Sequence, residues 1–368
     1  MGRVTPPEVE SLAVLDRLLH GPDDALRHAR LQNLDLAARE SELLDHKDFH
    51  GVVVLGGNLT TDLERHMRKH GAVVFISDPS TPVSSFRSEL YDYTELYAGL
   101  NDRGYAQTPD ASAYRWSRDA RSEHDAYATL QRAVHDDCIS DALHEWVAGR
   151  RVAGVMGGHA VRRGTPGFAE AAGLGAHLAN AGLSVATGGG PGAMEAANLG
   201  ALLGDSPDLQ RALTDLAKAP DFHDVDAWAK AAWAVRERVQ PVSDHRSLGV
   251  PTWFYGHEPP NLFGSAIAKY FSNALREDVL LAICNAGIAV LPGAAGTVQE
   301  IFQVATRLYY ATEPGPPLVL VGRDQWTVRV PVWAALEALG AKSPLGASIH
   351  LVDTVDEAAT VLLDGATR

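Results

Sequence analysis

Two short stretches carry residue types and spacings that suit phosphate chemistry. "TGGGPGAMEAAN" (residues 187–198) places Gly188, Gly189, Gly190 and Gly192 behind an apolar run and ahead of a helical pattern. "PGAAGTVQE" (residues 292–300) repeats the arrangement with Gly293, Ala294, Ala295, Gly296 and Thr297, and sets Glu300 just inside the helix that follows. Glycine lets a backbone approach an anion and take positive φ, while exposed N–H groups and the helix dipole attract negative charge. Tight strand–helix turns are also glycine-rich for steric reasons, but two of them in one sheet favour a phosphate-sized ligand. Neither turn matches GxxxxGK followed by serine or threonine, and neither reads GxGxxG with an acidic residue about 20 positions on. A kinase, an ATPase and a nicotinamide dehydrogenase are thereby disfavoured.

Element geometry supplies a partner for Glu300. The strand over 287–291 rises about 3.3 Å per residue, and the helix before it runs antiparallel at about 1.5 Å per residue. About ten residues back from the helix end therefore lies at the height of the strand's carboxyl end, and that residue is Arg276. Either ion alone is more often a surface group. Together, at the rim where a parallel sheet binds ligands, they form a candidate site.

The elements that must hold these residues alternate. From residue 150 onward an apolar strand at 152–156 precedes a turn at Gly157 and Gly158, then come the helix "GFAEAAGLGAHLANAG" and the strand and turn of "LSVATGGGPG". After an interruption the pattern resumes with "SLGVPTWFYG", the helix "GSAIAKYFSNALREDVLLAICNAG", "IAVLPG", "TVQEIFQVATRLYYA", "PLVLVG", "IHLVD" and a last helix. This order implies an α/β fold with a doubly wound, Rossmann-like parallel sheet. The interruption at 204–247 reads as a helical insertion that packs through Leu209, Leu213 and Leu216 on one face and Trp228, Ala232 and Val235 on another. Residues 1–149 read as a smaller N-terminal α/β domain. In it "DALRHARLQNLDL" reads as a helix, "GVVVLGGNLT" and "GAVVFISDP" as strands around the helix "TDLERHMRKH", and 125–148 as a long helix. The boundary falls near Gly149, leaving 150–368 as the ligand-binding domain.

A formal net charge of −14 speaks against a general nucleic-acid binder, which shows a basic face. The chain opens with no apolar h-region, and no window approaches about 18 apolar residues, so neither an export signal nor a membrane span is expected. Cys138 and Cys284 stand apart and outside any CxxC pair, which points to a reducing, cytoplasmic setting and away from a zinc–cysteine site. "HDDCIS" (135–140) offers His135, Asp136, Asp137 and Cys138, but successive helical residues point in different directions and no metal site is expected. "WFYGHEPPN" (253–261) follows a strand end at the same rim. Its aromatics either stack a base, with His257 and Glu258 as polar contacts, or fill a loop core. Asn198 either meets substrate or caps its turn, and "LGGNLT" in the first domain reads as a plain strand–turn–helix.

"GGGPGAMEAAN" and "PGAAGTVQE" resemble the GGGxGxMEAAN and PGGxGTxxE signatures of the Lonely Guy (LOG) family, and "ALREDVLL" resembles its arginine-bearing helix. The resemblance covers about residues 151–353, and the added N-terminal region is similar to that of the larger bacterial members, the nucleotide 5′-monophosphate nucleosidases. It implies a phosphoribohydrolase. Such an enzyme cuts the N-glycosidic bond of a nucleoside 5′-monophosphate, cytokinin riboside monophosphates included, to free base and ribose 5-phosphate. It also implies a homodimer or larger homo-oligomer. No feature supports pyridoxal phosphate chemistry and no metal is required, so no cofactor is expected. On this resemblance Gly188, Gly189, Gly190, Gly192, Met194, Asn198, Gly293, Ala294, Ala295, Gly296 and Thr297 hold substrate and phosphate, and Glu300 and Arg276 are catalytic. The family's second PGG glycine is Ala294 here, where a methyl group narrows the loop or demands negative φ.

Breaking this bond builds oxocarbenium-like charge on the ribose. A carboxylate near the anomeric carbon stabilises that charge and orients or deprotonates water, the role expected of Glu300. Arg276 is expected to orient substrate and hold Glu300 ionised, because a nearby cation lowers a carboxylate pKa. The turns would fix the 5′-phosphate, remote from the scissile bond. Two other readings use the same residues: a non-catalytic nucleotide sensor, and transfer of the ribosyl group to an acceptor other than water.

Overall fold

The computed structural model describes residues 7–79, 81–123, 125–241, 246–254 and 258–365. The chain divides into two units, Met1–Glu89 with Ala120–Ala142, and Leu90–Asp119 with Leu143–Arg368.

The first unit holds a parallel sheet of β1 (Glu8–Val9), β2 (Arg30–Gln32), β3 (Val53–Leu55) and β4 (Val73–Phe75), in that order. The helix Thr61–Lys69 joins β3 to β4. Thr60 caps it by accepting from the Leu63 amide at 3.2 Å, and Leu63 and Met67, one turn apart, bury in the core with Val54 and Val74. The helical reading of "DALRHARLQNLDL" is overturned, because β2 runs through it. Leu26, Ala29, Leu31 and Leu34 are all buried, and His28 and Asn33 take φ of 61° and 51° on either side of the strand. An α-helix cannot continue through either. The turn in "LGGNLT" is steric: a Cβ at Gly57 would lie 2.2 Å from the Leu34 carbonyl oxygen. His135 and Asp136 face each other, buried, at 3.0 Å.

The second unit carries β5 (Val152–Met156), β6 (Ser184–Thr187), β7 (Ser247–Gly249), β8 (Ala266–Ile267), β9 (Ile288–Val290), β10 (Leu318–Val321) and β11 (Ile349–Val352). All seven are parallel, in the order β11-β10-β9-β5-β6-β7-β8. Helices Pro166–Asn180, Ala193–Leu203 and Val355–Gly365 pack together on one face, and Asn273–Ile283, Ala295–Tyr309 and Trp333–Gly340 on the other. The chain is thus α/β with a doubly wound, Rossmann-like sheet. Its central strands are covered on both faces, which is why β5, β6, β9 and β10 are buried at every position. A Cβ at Gly200 would sit 1.8 Å from the Ala172 carbonyl oxygen, and one at Gly175 2.1 Å from that of Ala197. The helices Pro166–Asn180 and Ala193–Leu203 therefore touch backbone to backbone, which fixes the helix behind the first glycine turn.

Two expectations change here. The segment read as one helix over 264–287 is extended in its first half, where β8 pairs with β7 and Ile267 exchanges backbone hydrogen bonds with Tyr91 at 2.8 and 3.0 Å. The helix begins only at Asn273, behind the Ser272 cap. Residues 90–119 also belong with this sheet rather than with a separate block ending near Gly149. Besides the Tyr91 pairing, Asp110 accepts from the buried Lys269 ammonium at 2.6 Å and from the Trp253 indole at 2.9 Å. In the 204–247 region two helices form, Pro207–Leu216 and Val225–Arg238, and they bury Leu216, Trp228, Ala232 and Val235.

Candidate active site

From β5 the chain winds outward through β6, β7 and β8, then crosses back to β9 and winds outward the other way through β10 and β11, so the crevice between β5 and β9 is the sheet's topological switch point. Three turns meet there. The Gly158 amide donates to the Pro292 carbonyl at 3.1 Å, and the Ala193 amide donates to the Gly158 carbonyl at 3.2 Å. The β5 turn is thus wedged between the two glycine turns that the sequence singles out.

The turns differ in what they offer. Pro292 and Ala294 to Gly296 of the second are exposed, with Gly293 half-buried and Thr297 buried behind them. Its carbonyls are tied back, Pro292 by Gly158 and Gly293 by the Gln325 amide at 3.3 Å. The amides of Ala295, Gly296 and Thr297 open the helix Ala295–Tyr309 and have no acceptor among the described residues; no side chain caps this end. That leaves outward-facing donors at a positive helix end. Gly293 is required for the fold, since a Cβ there would fall 2.1 Å from Thr297 Oγ1, whereas a Cβ at Gly296 would meet nothing within 4 Å. Ala294 has φ −116°, a negative value of the kind its side chain demands.

Gly188 to Gly192 are buried instead. Asn261 clamps them, its amide donating to the Gly189 carbonyl at 2.7 Å and its side chain to that of Gly190 at 3.1 Å. Asn198 lies underneath, fully buried. It accepts from Thr187 at 2.7 Å and Asn261 at 2.9 Å, and donates to Ser247 and to the Leu248 carbonyl. Its polar atoms are all used within the protein, so in this state it braces the turn. Met194 lies over the glycine floor, with its sulfur 2.7 Å from where a Gly188 Cβ would be. The guanidinium of Arg276 is 3.4 Å from that same point. The first turn is therefore a floor for Met194 and Arg276, while the second faces outward.

Arg276 and Glu300 come together as element geometry predicts, Nη1 to Oε1 at 3.9 Å, with side chains only 10% and 14% exposed. Arg276 Nε is buried without a hydrogen-bond partner, and Glu300 has no closer ion-pair partner than Arg276 among the described residues. Buried polar groups are normally satisfied, and Arg276 Nε is an exception among the described residues. The Glu300 carboxyl is pushed up to about 7: burial raises it most, Arg276 pulls it down and Glu277 raises it again. The expectation that Arg276 holds Glu300 firmly ionised is corrected by this balance, because desolvation outweighs a cation nearly 4 Å away. Glu277 was missed in the sequence although it adjoins Arg276. It is buried and held by Asn273 at 2.8 Å and Gln299 at 2.5 Å.

Of the "WFYGHEPPN" stretch, Tyr255 to His257 lie outside the described residues. Trp253 belongs to the core, stacked on Phe271 at 4.5 Å. Glu258 faces the site: Oε1 is 3.2 Å from His159 Nδ1, and Oε2 is 3.5 Å from where a Gly190 Cβ would be.

No protein-family model matches the chain, and no curated protein matches it. Solved structures with a similar fold include the molybdenum cofactor binding protein of the phototrophic bacterium Rippkaea orientalis, at 16% identity and a TM-score of 0.35 over 58% of this chain and 96% of that one. The structural-genomics target TM1055 matches at 20% identity and a TM-score of 0.37 over 58% and 99% of the two chains. The molybdenum cofactor carrier protein of Chlamydomonas reinhardtii matches at 14% identity and 0.35 over 60% and 100%. Likenesses of this size say nothing of what this chain binds, and its α/β class rests on its own strand order.

Proposed function

We propose that the chain hydrolyses the N-glycosidic bond of nucleoside 5′-monophosphates, releasing free base and ribose 5-phosphate. One observation carries the reading. A buried Arg276–Glu300 pair, with Arg276 Nε unpartnered, stands one helical turn beyond a helix N-terminus whose first amides find no acceptor among the described residues. The amides of Ala295, Gly296 and Thr297 take the 5′-phosphate, using binding energy away from the scissile bond to place the ribose. Arg276 supplies its unpartnered Nε to a substrate oxygen. Glu300 in its ionised form stabilises the cationic ribose and takes a proton from the attacking water; the base leaves with the glycosidic electron pair and is protonated from solvent.

A carboxyl poised near 7 suits this work, since a general base acts best when its pKa lies near the working pH. A homodimer or larger assembly goes with this reading through the family resemblance, the cytoplasmic setting through the isolated Cys138 and Cys284, and the absence of a cofactor through a mechanism that calls for none. Product analysis with and without an added alcohol acceptor tests it. Hydrolysis gives one ribose 5-phosphate for each base released, whether or not the acceptor is present. A ribosyl adduct of the acceptor would mean transfer, and binding without base release would mean a sensor.

A further inference from the structure

A cavity of about 430 Å3 opens beside the first glycine turn, within the size range of small-molecule sites. Pro191 and Gly192 of that turn form its floor. His159 and Arg162 of the β5 turn and Phe222 and Trp228 of the helical insertion line it too. The Phe222 ring meets His159 edge to face, centroids 6.2 Å apart and planes at 82°, and lies near-parallel to His223 at 6.1 Å.

The insertion wall is preformed. Beneath it the buried Arg163 pairs with Glu195 of the helix behind the glycine turn, donating from Nε to both carboxylate oxygens at 3.1 Å. The same guanidinium donates to the carbonyls of Ala219 at 3.2 Å and Trp228 at 3.0 Å, and it lies 4.6 Å over the Trp228 ring. These contacts fasten the insertion to the sheet, so the aromatic wall does not have to be assembled when a ligand arrives.

The cavity also adjoins the catalytic crevice. Gly192 packs on the carbonyls of Gly158 and His159, and Gly158 in turn packs on Pro292 and Gly293. Gly158 and His159 thus stand between Gly192 of the cavity and Pro292 and Gly293 of the second turn. At the boundary stands the His159–Glu258 pair, which offers both a donor and an acceptor to the edge of a ring.

We infer that this cavity is the nucleobase subsite, with the base against the Phe222 and His159 rings and the 5′-phosphate at the second turn, and that the 204–247 insertion is a specificity element. This rests on the proposed function for the identity of the substrate. An aromatic wall suits a flat heteroaromatic ring and offers a sugar phosphate little.

Calorimetric dissociation constants for AMP, CMP and ribose 5-phosphate, measured on the full chain and its Phe222→Ala and His159→Ala variants, test the assignment. Losing one base–aromatic contact weakens nucleotide binding by about tenfold, so at least one nucleotide should weaken by that much in each variant while ribose 5-phosphate is unchanged. If Phe222→Ala lowers the melting temperature, His159→Ala, whose side chain is 54% exposed, carries the test alone. Nucleotide affinity unchanged in both variants, an equal loss for ribose 5-phosphate, or no nucleotide binding by the parent protein would each overturn it. Weakened nucleotide binding in a protein that releases no base would sink the hydrolase reading and leave the subsite standing. Base release with both variants binding as the parent does would do the reverse.

Discussion

Replacing Glu300 with glutamine should make the protein more stable, and increasingly so as the pH rises. Burial lifts the folded-state carboxyl from 4.5 to about 7. The fold therefore prefers the protonated acid. That preference is fully present below about pH 4.5 and is lost as the pH climbs through about 7. At about 1.4 kcal/mol per pH unit, the displacement corresponds to at most roughly 3 kcal/mol. Glutamine keeps the shape of the neutral acid and cannot ionise. The gap between Glu300→Gln and the parent should thus be smallest below about pH 4.5, open from there as the unfolded carboxyl ionises, and level off above about pH 7, a rise of roughly 6 °C in melting temperature for a domain of this size. Thermal melts of both proteins from about pH 4 to about pH 8.5 measure it. A gap that does not change with pH, or one that narrows as the pH rises, would show that burial does not raise the Glu300 carboxyl and refute the argument.

Other outcomes follow from the same geometry. Arg276→Ala removes the cation that draws the Glu300 carboxyl down, so the alkaline rise in base release should move above pH 7 and kcat/KM should fall on the order of 100-fold; a pH–rate profile reports both. Gly296→Ala, with nothing within 4 Å of the added methyl, should melt like the parent yet bind AMP more weakly, whereas Gly293→Ala, whose Cβ meets Thr297 Oγ1 at 2.1 Å, should lose stability as well. Arg163→Met strands Glu195 in the interior and should cost about 3–5 kcal/mol in denaturant unfolding, much of it recovered when Glu195→Leu is added.

Much of the site was legible because it depends on short-range rules. Glycine spacing marked both turns, and strand and helix rise per residue were enough to place Arg276 opposite Glu300. What sequence could not show was the environment of each turn. "GGGPG" and "PGAAG" read alike, but the first is roofed by Met194 and clamped by Asn261, a residue about seventy positions away. The protonation balance of Glu300 was likewise hidden, because it depends on how deeply the pair is buried and on Glu277, whose side chain is turned inward by Asn273 and Gln299. Strand β2 escapes a sequence reading because it is three residues long, Arg30–Gln32, and because His28 and Asn33 break a helix through backbone angles that composition does not reveal. The long-range pairing of Tyr91 with Ile267 and of Asp110 with Lys269 joins segments more than 150 residues apart, which no local pattern encodes.

The central claim is that one carboxylate beside a phosphate-holding helix end breaks a glycosidic bond. Chromatography of base release from a panel of nucleoside 5′-monophosphates and the matching nucleosides, with Glu300→Ala run alongside, tests it most directly. The account predicts release from monophosphates only, abolished in Glu300→Ala while the variant still binds nucleotide. Equal release from nucleosides, or release that survives the substitution, would contradict it.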